Sequence, residues 1–166
     1  MADKEALYTL SSTLVTALAS AGKTVTTAES CTGGWLAKAI TDIPGSSAVF
    51  AYGLVSYSNG AKESLLGVDA GTLQEHGAVS ADVVLQMANG ALRVSAADIA
   101  VAVSGVAGPS GGSEEKPVGT VWFAWAVKGR LGVKTDTQCM HFSGDRDTVR
   151  RQTVMRALHG LIERSK

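Results

Sequence analysis

Thr24-Val25-Thr26-Thr27-Ala28-Glu29-Ser30-Cys31-Thr32-Gly33-Gly34-Trp35-Leu36-Ala37-Lys38-Ala39-Ile40 changes periodicity in the middle. Residues 24–28 are rich in β-branched side chains and read as a strand. Trp35, Leu36, Ala39 and Ile40 recur at helical spacing. The handover falls within Glu29–Gly34, which is too short for anything but a tight strand-to-helix turn. Working outward, residues 98–104 (Asp-Ile-Ala-Val-Ala-Val-Ser) form a nearly continuous apolar run, as a central strand buried on both faces requires. Residues 48–57 read as a second long strand after the turn residues Pro44-Gly45-Ser46-Ser47. A helix is predicted over 4–20, with Leu7, Leu10, Leu14, Ala17 and Leu18 on one face and Ala21-Gly22 as its stop. Short helices follow at 59–66, ending on Gly67, and around 70–75. Ser80 caps another helix, with Val84, Met87, Ala88 and Ala91 on one face. Strands near 118–127 and 133–142 flank Lys128-Gly129-Arg130 as a hairpin turn. Asp145 caps a last helix whose buried stripe is Val154, Met155, Leu158, Leu161 and Ile162. Alternating helices and strands give an α/β fold. The expected architecture is a single domain over 1–166, a three-layer α/β/α sandwich. The hairpin makes its sheet mixed, though mostly parallel.

Composition narrows the function classes. The chain has 166 residues, 45% of them hydrophobic and 18% charged, which is a folded-domain balance. No apolar run approaches the roughly 20 residues of a membrane helix, and the start Met1-Ala-Asp-Lys-Glu leads into an amphipathic stretch, so neither a membrane span nor a signal peptide is expected. Fifteen Lys+Arg balance fifteen Asp+Glu, which argues against a nucleic-acid or anionic-membrane partner. Cys31 and Cys139 have no metal or redox spacing and read as reduced thiols of a cytoplasmic protein. The charge is uneven: residues 131–166 hold seven basic and four acidic groups, mostly through Arg146, Arg150, Arg151 and Arg156 on one helix. Such a helix reads as a solvated face, with an arginine near its start able to reach an anionic ligand.

Three segments hold candidate chemistry. Only three histidines occur, His76, His141 and His159, none beside a Ser or Cys nucleophile candidate in sequence. No His-x-x-x-His, Cys-x-x-Cys or Asp-x-Asp pattern suggests a metal site. At the strand-to-helix turn, Ser30, Cys31 and Thr32 precede Gly33-Gly34, where free amides at a helix start favour an oxyanion. The competing reading makes Ser30 or Thr32 a plain N-cap, and Cys31 competes for the nucleophile role. In Val55-Ser56-Tyr57-Ser58-Asn59-Gly60-Ala61-Lys62, a short helix returns Lys62 over the same sheet edge, where a buried lysine can serve as base; otherwise it is a surface lysine. Ser104-Gly105-Val106-Ala107-Gly108-Pro109-Ser110-Gly111-Gly112-Ser113 follows the central strand, where open α/β sheets bind ligands. Its glycines admit backbone amides to an anion, or the segment is a mobile loop. It is neither a Walker A nor a dinucleotide fingerprint, so no nucleotide cofactor is implied.

Together Thr27–Gly34, Tyr57-Ser58-Asn59 with Ala61-Lys62, Gly77–Ser80, Ser104–Pro109 with Gly111-Gly112, Lys116–Val121 and Gly144-Asp145-Arg146 resemble the CinA C-terminal domain family in its stand-alone amidase form. The resemblance spans essentially the whole chain. It implies hydrolysis of the carboxamide of nicotinamide mononucleotide to nicotinate mononucleotide and ammonia, in pyridine-nucleotide recycling, without a cofactor. It implies Ser30 as nucleophile, Lys62 as its general base, Tyr57 as a supporting hydroxyl, and a homodimer or higher homo-oligomer. From loop chemistry, phosphate or ribose is expected at Gly105, Gly108, Gly112 and Arg146. The oxyanion is expected at the Thr32, Gly33 and Gly34 amides, with Ser104 or Gly105. The alternative reading is a non-catalytic nucleotide-binding regulatory module.

Overall fold

The computed structural model describes residues 2–166. Helix α1 (Ala2–Ala21) precedes β1 (Val25–Glu29), α2 (Trp35–Thr41) and β2 (Phe50–Val55). Then come α3 (Asn59–Leu66), α4 (Ala70–His76), α5 (Ala81–Ser95), β3 (Ile99–Gly105), β4 (Thr120–Gly129), β5 (Gly132–His141) and α6 (Arg146–Arg164). One five-stranded sheet has the order β2-β1-β3-β4-β5. The pairs β1–β2 and β1–β3 are parallel, while β3–β4 and β4–β5 are antiparallel. Four strands therefore point one way and β4 alone the other, so the mixed, mostly parallel sheet holds. The carboxyl ends of β1, β2, β3 and β5 meet at one edge.

The two faces of the sheet carry different side chains. Ile99, Val101, Val103, Val121, Phe123 and Trp125 pack under α1, α2 and α6. Ala28, Ala100, Ala102, Ala124 and Ala126 face α5 with α3 and α4. The period-2 alternation of a strand separates the large from the small residues. Alanines let α5 lie close to the sheet, and Gly90 lets α3 lie close to α5. A Cβ built at Gly90 would stand 2.0 Å from the Leu66 carbonyl oxygen. Helix α3 is thereby held down over the sheet edge.

The expected caps Ser80 and Asp145 each accept from a first-turn backbone N–H, and Gly67 ends α3 with φ 67°; Ser58 and Asp69 cap α3 and α4 in the same way. Two expectations need correcting. The strand placed at 48–57 is shorter, because Ser46–Ala48 wind a 3₁₀ turn and the Ser56 and Tyr57 carbonyls turn out of the sheet toward Lys62. The hairpin turn lies at Arg130-Leu131, since the β4–β5 ladder runs on through Lys128 and Gly129 to Gly132. Met155 and Ile162 flank the buried stripe of α6 and are half-buried. No helix among the described residues is long and apolar enough to cross a membrane.

Candidate active site

Ser30 follows the last residue of β1, and its amide bonds the Val103 carbonyl of β3 at 3.0 Å. Parallel register pairs Ala28 with Ala102 and Glu29 with Val103, which brings Ser104 alongside Ser30. Lys62 lies on the inner face of α3 and is 1% exposed. Its Nζ is 2.9 Å from Ser30 Oγ, 2.9 Å from the Ser56 carbonyl and 3.0 Å from the Tyr57 carbonyl. Burial lowers the Lys62 pKa from the ordinary 10.5, while proximity to Cys31 pulls the other way. That opposing pull requires a thiolate, and burial pushes the Cys31 thiol up to about 12. Three N–H donors of Lys62 meet the Ser56 and Tyr57 carbonyls and Ser30 Oγ; once deprotonated, the amine keeps the two carbonyls and turns its lone pair to the Ser30 hydroxyl.

Tyr57 serves this centre through its main chain. Its side chain is 59% exposed, and its hydroxyl accepts from Arg146 Nη2 at 3.2 Å. Arg146 Nη1 donates to the Gly108 carbonyl at 2.8 Å, so one guanidinium joins Tyr57 to the loop after β3. The glycines of that loop answer to close packing. Cβ atoms at Gly105, Gly108 and Gly112 would come within 2.7 Å, 2.4 Å and 2.7 Å of Val121, Val118 and the Val118 amide nitrogen respectively.

The turn itself is braced by two residues to which the sequence reading assigned no role. Glu29 is fully buried; its Oε1 accepts from the Thr32 hydroxyl at 2.6 Å and the Leu36 amide at 2.8 Å, and its Oε2 from the Ala37 amide at 3.0 Å. Thr32 is therefore no N-cap; Gly34 occupies that position without a side-chain cap, and Glu29 fills it from a distance. The signal was present: a Gly-Gly helix start needs an outside acceptor, and an acid stands just before it. Arg150 donates from Nε to the Cys31 carbonyl and from Nη2 to the Thr32 carbonyl, both at 3.0 Å, with its guanidinium 5.4 Å from the Trp35 ring centre. It lies one helical turn after Arg146, on the same face, a spacing that reading the helix as solvated overlooked. Of the expected oxyanion donors, the Gly33 amide is occupied by the Ser30 carbonyl at 3.1 Å. A recess of about 500 Å³ adjoins the turn, lined by Thr32, Gly33, Gly34, Trp35, Lys38 and Arg150. Another of similar volume, between α1, α2 and α6, contains none of Ser30, Tyr57 and Lys62.

A single α/β/α domain with a Ser–Lys pair at the carboxyl edge of a mixed sheet is the class that fold and site define. The family model of the CinA C-terminal domain matches residues 7–165, and the chain belongs to that family. The nicotinamide-nucleotide amidohydrolase PncC of Escherichia coli strain K12 is 59% identical over 161 residues, covering 97% of this chain and 95% of that protein. The Pseudomonas putida protein of the same name is 55% identical over 139 residues, covering 84% of each. The crystal structure of the competence/damage inducible protein CihA from Agrobacterium tumefaciens superposes with a TM-score of 0.92 at 46% identity, covering 97% of this chain and 96% of that one.

Proposed function

We propose that this protein hydrolyses the carboxamide of nicotinamide mononucleotide to nicotinate mononucleotide and ammonia, with Ser30 as nucleophile and Lys62 as base. The observation that carries the reading is the buried lysine amine 2.9 Å from Ser30 Oγ, joined by relatives that bear the amidohydrolase name over nearly the whole chain. Ser30 Oγ attacks the carboxamide carbon and its proton passes to Lys62 Nζ. The carbonyl π pair moves onto oxygen, which the Thr32 amide, not bonded among the described residues, stabilises. When the tetrahedral centre collapses, the C–N bond breaks and Lys62 delivers its proton to the nitrogen, so ammonia leaves. Water then attacks the acyl-Ser30 carbonyl, giving a proton to Lys62, which returns it to Ser30 Oγ as the ester bond breaks. Nicotinate mononucleotide departs, and the enzyme is unchanged. Acid–base assistance of this kind is worth about 10²–10⁴-fold.

Cys31 is a poor alternative nucleophile, since a thiol pushed up to about 12 is protonated near neutrality. Arg146 spends only two of its N–H donors on Gly108 and Tyr57, leaving others for the substrate phosphate beside the 105–112 loop. The reaction belongs to pyridine-nucleotide recycling in the cytoplasm, by an enzyme that self-associates. The test is ammonia release from nicotinamide mononucleotide by purified protein. Release that disappears in Ser30→Ala supports the reading, and no release from the parent protein overturns it.

A further inference from the structure

We infer that Arg150, acting together with Glu29, is a positioning residue that holds the 30–34 turn so that the Thr32 amide serves as an oxyanion donor. This rests on the Ser30 mechanism and assigns Arg150 a role within it. A trans peptide aims its C=O and its N–H in opposite directions. Arg150 holds the Cys31 carbonyl toward α6, so the Thr32 N–H of the same peptide points away from α6. It likewise holds the Thr32 carbonyl, turning the Gly33 N–H away from α6, and that amide is taken by the Ser30 carbonyl. The Thr32 amide has no acceptor among the described residues, although Thr32 is 1% exposed. Buried backbone N–H groups without partners are rare, and one lying two residues after a nucleophile is placed for a developing oxyanion. The Thr32 side chain cannot swing in to satisfy it, because Glu29 accepts its hydroxyl at 2.6 Å. Arg150 and Glu29 thus grip the same turn through different groups, one through two carbonyls and the other through a hydroxyl and two amides.

The roles separate in steady-state kinetics on the full chain with nicotinamide mononucleotide. In Arg150→Met, kcat should fall about 100-fold, as a misplaced catalytic group does. KM should stay within about threefold, because the interaction forms chiefly in the transition state. The acid limb of the pH profile should stay put, since none of the Lys62 contacts is touched. Arg150→Lys should recover only part of the rate, because one ammonium on a flexible stem replaces a fork fixed on two carbonyls. In a Cys139→Ser background, Cys31 should alkylate faster with iodoacetamide once Arg150 is lost, which reports the loosened turn without reference to activity. A folded Arg150→Met with parental kcat overturns the inference, as does a loss confined to KM or a displaced acid limb. Should Arg150→Met not fold, Arg150→Lys is judged by the same criteria. Ser30→Ala in the same assay separates the two readings. If that variant stays active, the Ser30 mechanism itself fails; if it is inactive while both Arg150 variants match the parent, only the positioning role fails.

Discussion

Replacing Lys62 by Met should expose a pH-dependent term in stability that tracks the acid limb of catalysis. Lysine in the unfolded chain titrates near 10.5, and burial lowers that value in the fold. Between the two values the unfolded chain binds one more proton than the native one. Stability of the parent then rises with pH by about 1.4 kcal/mol per pH unit. Below the lowered value both states carry the proton, so the cost of burying the ammonium is constant and largest. Above 10.5 both are neutral and the cost is gone. Lys62→Met has no such ionisation. It leaves the buried Ser56 carbonyl without its donor, at about 1–3 kcal/mol, and takes one of two donors from the Tyr57 carbonyl, but that offset does not vary with pH. Urea unfolding of both proteins, from about pH 6 to about pH 10, gives the stability difference across the lysine window. The difference should be flat on the acid side and then climb in favour of the parent. The parent's kcat/KM, which reports ionisation of the free enzyme, should begin to fall at the pH where the climb begins. A difference that stays flat throughout, or an acid limb more than about one pH unit from the onset of the climb, refutes the neutral-base argument.

Ser30→Ala should abolish ammonia release while Cys31→Ala keeps a substantial rate, and fragmentation of the modified peptide by tandem mass spectrometry should place any acyl adduct on Ser30 rather than Cys31. Arg146→Ala should penalise nicotinamide mononucleotide more than nicotinamide riboside, by roughly 10- to 150-fold for a charged hydrogen bond to phosphate; equal kcat/KM losses on both substrates would remove Arg146 from phosphate recognition. Gly90→Ala, a change worth about 1 kcal/mol of stabilisation in an ordinary helix, should instead destabilise, because its Cβ meets the Leu66 carbonyl oxygen at 2.0 Å. Urea denaturation will show which sign holds.

The pattern of elements was legible wherever one periodicity ran long enough to be unambiguous. The apolar run at 98–104, the capping residues Ser80 and Asp145 and the Gly67 stop all reappear in the structure within a residue or two. The misplaced ends lie where tertiary contacts choose between equally good local options. Lys128 and Gly129 can turn or extend, and pairing with Val133 and Gly132 extends them. A strand-end serine and a returning lysine marked Ser30 and Lys62 as candidates, but it was the family resemblance that joined them as nucleophile and base. Their 2.9 Å approach was not legible, since it depends on how closely α3 packs. Glu29 and Arg150 escaped for a related reason. Both act on backbone atoms, and no residue type in the sequence marks a carbonyl or an amide that needs a partner. Tyr57 was singled out for its hydroxyl, which meets Arg146, and its carbonyl contact with Lys62 was not foreseen.

The unequal faces of the sheet imply two different mutational spectra. Under α1, α2 and α6, shortening Phe123, Val101 or Leu158 opens a void, and stability falls with the volume lost, about 24 cal/mol per Å³. At the sheet's alanines under α5 there is little to shorten, and damage at those positions comes from enlargement, at roughly 1–3 kcal/mol for each overpacked site. Enlargement has a second effect there. Whatever lifts α5 also lifts α3, whose backbone rests on Gly90, and α3 delivers the Lys62 amine to Ser30. Voids on the first face should therefore thin the folded population and leave turnover per folded molecule nearly constant. Bulk added on the alanine face should lower turnover in molecules that remain folded, so a sequence drifting neutrally has more freedom on one side of its sheet than on the other.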